Sequence, residues 1–139
     1  MVTTVAHVMT RNPVTVDAQV PIREAARQMQ ANDIGDVLVM DGDRLIGVVT
    51  DRDIAVRAVA EDKAPSTPVG QVCSGQDLTT VPPEMSLDQA VELMRDRAIR
   101  RLPVVEGNRP VGLLSLGDIA IACDETSALA EISDSEPNA

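Results

Sequence analysis

The chain is 139 residues long, 44% hydrophobic and 24% charged, with a net charge of −10. That length suits one domain or two small halves sharing a core, and the acidic balance argues against DNA or RNA as the main partner. No apolar run approaches a membrane span, and the N-terminus lacks the basic-then-apolar pattern of a secretion signal, so no membrane insertion is expected and the chain reads as cytoplasmic.

In chain order, the first few residues read as disordered. Thr4 then starts a short helical turn carrying Val5, Val8 and Met9. Val14-Thr15-Val16 is β-prone. Pro21 opens a longer helix with Ile22, Ala25, Ala26 and Met29 on one face. Val37–Met40, the turn Asp41-Gly42-Asp43 and Leu45–Val49 form a hairpin, and a helix carrying Ile54, Ala55, Ala58 and Val59 follows. Residues 61–68 (EDKAPSTP) have the composition of a linker.

The order then begins again. Thr67-Pro68 starts a short helix with Val69, Val72 and Cys73, and Leu78-Thr79-Thr80-Val81 is the second β-prone segment. Ser86 and Gln89 form a capping box for a helix bearing Leu87, Ala90, Val91 and Met94. Leu102–Val105, the turn Glu106-Gly107-Asn108 and Val111–Leu114 make the second hairpin. Ile119, Ala120 and Cys123 belong to the closing helix. Val8 matches Val72, but Met29 matches Met94, so one residue is inserted near Ser74–Asp77. Cys73 takes the place of Met9, and Cys123 that of Ala58, which makes both thiols buried and inert. Two lone cysteines and one histidine give no zinc spacing. From Asp124 onward the chain holds five acidic residues and no basic one, which reads as a disordered tail or a partner-binding one.

The most informative stretch is Gly47-Val48-Val49-Thr50-Asp51-Arg52-Asp53-Ile54. It recurs 65 residues later as Gly112-Leu113-Leu114-Ser115-Leu116-Gly117-Asp118-Ile119. Each copy is a buried strand ending in a hydroxyl, followed three places on by Asp at a helix start. Thr50 and Ser115 could simply cap those helices. The recurrence favours function: unpaired N–H groups there would receive an anion, and each carboxylate would accept the two hydroxyls of a ribose.

With Asp33–Asp41 and Ile99–Val105, this repeat resembles a tandem pair of CBS (cystathionine-β-synthase-type) domains, a Bateman module, over roughly residues 5–123. The resemblance implies an α/β (α+β) fold of two repeats packed sheet to sheet about a pseudo-twofold axis. It divides the chain into repeat 1 (1–60), linker (61–68), repeat 2 (69–123) and tail (124–139). It implies clefts for adenosyl compounds (AMP, ADP, ATP, S-adenosylmethionine or NAD), as regulatory ligands rather than required cofactors. Asp53 and Asp118 would take ribose hydroxyls, with Thr50 and Ser115 beside ribose or phosphate. Adenine would lie against Val14 and Thr79, and phosphates would meet Arg100 and Arg101, with Arg52 as a further cation. Since the chain has no Phe, Tyr or Trp, the base would lie between aliphatic side chains. Where repeat 2 has Arg100-Arg101, repeat 1 has Gly35-Asp36, which implies two unequal sites.

Catalysis needs a paired nucleophile and base, a tuned acid–base pair or a metal. His7 is the only histidine, Asp41-x-Asp43 and Asp51-x-Asp53 lack further ligands at fixed spacing, and no phosphate loop is present, so no metal site and no enzyme is expected. Two readings stay open. One is a homodimeric nucleotide sensor acting on a separate effector protein; the other is a dimeric scaffold whose clefts bind no physiological nucleotide.

Overall fold

The computed structural model describes residues 3–75 and 78–123; expectations for the first two residues and for the acidic tail lie outside them. The first repeat contributes α1 (Val5–Val8), β1 (Thr10–Arg11), β2 (Thr15–Asp17), α2 (Ile22–Asn32), β3 (Asp36–Asp41), β4 (Arg44–Thr50) and α3 (Asp51–Asp53), which continues as a π-helix over Ile54–Val59. The second contributes a 3-10 turn (Val69–Gln71), α4 (Leu87–Arg97), β5 (Arg101–Glu106), β6 (Arg109–Ser115) and a helix, α5, over residues 116–123. Both hairpins turn at a glycine with positive φ, Gly42 (60°) and Gly107 (61°), where a side chain would be strained.

The architecture is mixed α/β, with one three-stranded sheet ordered β2-β3-β4 and another ordered β1-β6-β5. In β3, Val37, Leu38 and Val39 are all buried, because this strand is covered on both faces. Val37 and Val39 pack on Ile22, Ala25 and Met29 of α2, while Leu38 joins Val48 and Leu113 where the two sheets meet. The second half repeats this with Leu102 and Val104 over Ala90 and Met94. Burying a side chain of this size contributes about 1.5–3 kcal/mol, so the apolar runs hold each half together and join the halves.

The short N-terminal segments are exchanged. α1 packs in the second half, with Val5 and Met9 against Val81, Met94 and Leu102, and Val5 N–H donates to Met85 O at 2.8 Å. Reciprocally, Val69 and Val72 enter the first core, and Val69 N–H donates to Val20 O at 2.8 Å. β1 accordingly pairs with β6 of the other half, and Ser74 bridges Val48 of β4. A sequence repeat and a folded half are therefore not the same set of residues.

The exchanged contacts also locate the inserted residue. Thr10 faces Leu113 as Ser74 faces Val48, whereas Val16 faces Val39 as Val81 faces Val104. The register changes between Ser74 and Val81. Met9 and Cys73 are equivalent in space as well: each sulfur lies over a glycine, Gly112 and Gly47.

Several local expectations are corrected. Ala26 is exposed, so the buried face of α2 is Ile22, Ala25 and Met29. Ser86 Oγ accepts from Gln89 N–H at 3.2 Å, but among the described residues the Gln89 side chain returns no bond, which leaves half a capping box. The Thr67 hydroxyl donates to Ala64 O at 2.7 Å instead of capping. Of Leu78–Val81, only Val81 makes a β-bridge. Cys123 is exposed although its counterpart Ala58 is buried. Ala58 lies in the first core, in the same cluster as Val16, Ala25 and Val72.

The crossover leaves no room for a side chain at Gly47. A Cβ there would lie 2.8 Å from Ser74 O and 2.9 Å from Cys73 Sγ. Gly47→Ala is therefore expected to lower unfolding stability by about 1–3 kcal/mol, measured by chemical denaturation. An unaltered denaturation midpoint would show that the exchanged segment is not tightly docked.

Candidate functional site

Each strand–helix junction is closed by a reciprocal pair of hydrogen bonds. Asp53 N–H donates to Thr50 Oγ1 at 3.0 Å, and Thr50 N–H returns to Asp53 Oδ2 at 2.9 Å. In the second half, Asp118 N–H donates to Ser115 Oγ at 3.0 Å and Ser115 N–H to Asp118 Oδ2 at 3.1 Å. The short polar side chains at these two positions thus hold the turns that place them.

These bonds correct the expectation that the first helix start offers free N–H groups. Asp51 N–H donates to Gly35 O and Arg52 N–H to Asp51 Oδ1, so every N–H from Thr50 to Asp53 has an internal partner. An anion near this turn must be held by side chains. The carboxylates keep accepting capacity, because each has about four lone-pair sites. Asp53 Oδ1 lies 3.6 Å from Arg57 Nε, and Asp118 Oδ1 has no partner among the described residues.

Two clefts open where the halves meet, and each draws on both repeats. The first, about 310 Å³, brings Thr50, Arg52 and Asp53 together with Thr79, Arg100 and Arg101. Its apolar walls are Val48, Leu78, Ile99 and Pro103. The second, about 240 Å³, brings Ser115 and Asp118 together with Val14. Its apolar walls are Ile34, Val37, Leu38 and Leu113, and its other charged group is Asp36. A wider hollow beside the hairpin turns, bounded by Asp41, Asp43, Arg44 and Asn108, contains none of the candidate residues.

The clefts differ in charge. Three arginines line the first, whereas two carboxylates and no basic residue line the second. Between them, Arg101 Nε donates to Asp36 Oδ2 at 2.8 Å, an ion pair that joins one repeat to the other. Asp36 and Arg101 occupy equivalent positions in the two repeats, so they meet at the pseudo-twofold axis.

Residues that sequence reading did not single out include Thr10 and Ser74. Thr10 Oγ1 donates to Asp118 Oδ2 at 3.4 Å in the second cleft, and Ser74 lines the first. Their signal was a hydroxyl at matching places in the two short segments, legible only once the exchange is known. Thr79 accepts a hydrogen bond from Arg97 Nη1 at 3.3 Å. His7 lies at the exposed end of α1, where its Nδ1 accepts from Thr4 N–H at 3.2 Å. Among the described residues no three His, Cys, Asp or Glu side chains are grouped to hold a metal ion.

Paired halves with composite clefts at their junction define a tandem-repeat α/β fold. The chain belongs to the CBS domain family, whose model matches residues 5–59 and 69–125. It is 42% identical over 113 residues to the CBS domain-containing protein YhcV of Bacillus subtilis, covering 81% of this chain and 80% of that one. Among solved structures it is similar to Hypoxic Response Protein I with two coordinated zinc ions, at TM-score 0.74 and 30% identity over 86% of this chain and 98% of that one. The CBS domain pair of MJ0100, solved with 5-methylthioadenosine and S-adenosyl-L-methionine, shares the fold at TM-score 0.80 and 23% identity, covering 91% and 99%. Among the described residues no helix is long and apolar enough to cross a membrane.

The two thiols are expected to differ in reactivity. Burial pushes the Cys73 thiol up, a hydrogen bond from its own backbone N–H partly offsets this, and nearby Asp53 adds to the rise. A raised thiol holds less thiolate at a given pH, and thiolate is the reactive form. A thiol-reactive dye at pH 8 is expected to label exposed Cys123 first and Cys73 only slowly, with the difference abolished in denaturant. Equal rates in the folded protein would contradict this placement.

Proposed function

We propose that this chain is a non-catalytic regulatory module that binds an adenosyl nucleotide of the AMP, ADP or ATP class in the arginine-lined cleft. It passes the state of that cleft to a separate effector protein. The observation that carries the reading is the convergence of Thr50, Asp53 and Thr79 with Arg52, Arg100 and Arg101 in one cavity of about 310 Å³. Asp53 supplies a carboxylate for ribose hydroxyls, the arginines supply charge-assisted donors for phosphate, and the aliphatic walls enclose the base. The adenosyl ligands of the MJ0100 domain pair support this chemical class, and S-adenosylmethionine and NAD are further members to test.

A homodimer fits the surface. The large apolar side chains left exposed among the described residues are Val56, Val59, Leu116 and Ile121, all on the two closing helices. We assign these side chains to contacts with a second copy, through which ligand-dependent packing would reach the effector.

One feature favours a scaffold instead: Asp53 and Asp118 each already close their own turn. Calorimetry separates the two readings. At a hundred times its dissociation constant, a bound nucleotide is expected to stabilise the folded chain by about 2.7 kcal/mol. Arg100 is exposed, and Arg100→Ala is expected to weaken ADP binding by about tenfold or more. Asp53→Ala should weaken binding as well, with the ligand-free melting temperature reporting the turn separately. Absence of binding heat and of thermal stabilisation with AMP, ADP, ATP, S-adenosylmethionine and NAD would leave the scaffold.

A further inference from the structure

The Asp36–Arg101 pair lies between the two clefts, and each partner lines a different one. At 2.8 Å the carboxylate takes the Nε–H of Arg101, one of the guanidinium donors that a phosphate in the arginine cleft would use. The pair is only partly screened, with side-chain exposures of 38% for Arg101 and 22% for Asp36. The equivalence of the two positions makes this contact peculiar to an asymmetric pair: two arginines or two aspartates at the axis would repel each other.

We infer that Asp36 is a specificity-determining residue that competes with ligand phosphate for Arg101 and couples the charge of the two clefts. The inference rests on nucleotide binding in the arginine cleft. With that cleft empty, Arg101 and Asp36 neutralise each other. A phosphate that draws Arg101 toward itself leaves the Asp36 carboxylate facing the second cleft. That cleft already holds Asp118 and has no basic lining residue. It then carries two uncompensated carboxylates and rejects a second anion. The result is one phosphorylated nucleotide per chain, bound with an affinity lowered by the competing carboxylate. The two states differ in a named contact, which is what coupling between sites requires.

The test is isothermal calorimetry with adenosine, AMP and ADP on the wild type and on Asp36→Asn, both checked for folding by circular dichroism and melting. Asn keeps the shape and a carbonyl acceptor but removes the charge. The wild type is expected to bind one ADP per chain. Asp36→Asn is expected to bind ADP about two- to fivefold more tightly, the range appropriate to a partly exposed ion pair, and to raise the ratio of ADP to adenosine affinity. Effects on packing alone would change the affinities for both ligands in parallel and leave that ratio where it was. An unaltered ratio, or two equivalent ADP sites in the wild type, would overturn the inference while leaving nucleotide binding in the arginine cleft intact. Binding of no adenosine compound by either protein would overturn both.

Discussion

Everything at the junction depends on the exchange of two short segments. α1 and β1 leave their own repeat and complete the other, while the 3-10 turn and Ser74 do the reverse. The exchange is possible because Gly47 and Gly112 lack side chains where Cys73 and Met9 cross them. It ties the halves together by backbone hydrogen bonds as well as by Leu38, Val48 and Leu113. At the same junction each cleft holds the hydroxyl–carboxylate pair of one repeat and the pre-strand residues of the other. Neither repeat alone could build either cleft.

The near-symmetry of the backbone makes the side-chain asymmetry meaningful. Hydrogen bonds recur in equivalent places, as in Asp51 N–H to Gly35 O and Leu116 N–H to Arg100 O, both 2.9 Å. Onto this common frame the chain sets Gly35-Asp36 in one half and Arg100-Arg101 in the other. Space reinforces the difference, since a Cβ at Gly35 would sit 3.0 Å from the Asp51 carboxylate. With a net charge of −10 overall, the local arginines are what would allow an anionic ligand to approach at all.

Much of the fold was legible in the residues. The hairpins followed from Gly42 and Gly107 between apolar runs, the long helices from the spacing of Ile22, Ala25 and Met29 and of Ala90 and Met94, and the repeat from its 65-residue recurrence. The exchange was not legible, because local pattern shows that a segment is helical or extended but not which of two similar surfaces it covers. The saturated N–H groups from Thr50 to Asp53 were missed for a related reason. The partner of Asp51 N–H is a carbonyl 16 residues upstream, brought close only by the β3–β4 register. For the same reason Arg101 read only as a phosphate contact, whereas its partner Asp36 is 65 residues away in sequence. Cys123 was misjudged because it was read from its match to Ala58, and a matching place in the repeat does not ensure matching burial.

The most direct measurement is a crystal structure of the protein grown with saturating ADP. The account requires density in the arginine-lined cleft, with the ribose hydroxyls on Asp53, the adenine between Val48, Leu78, Ile99 and Pro103, and the phosphates on Arg100 and Arg101. Nucleotide density elsewhere, or a clear map of that cleft holding only solvent, would contradict it.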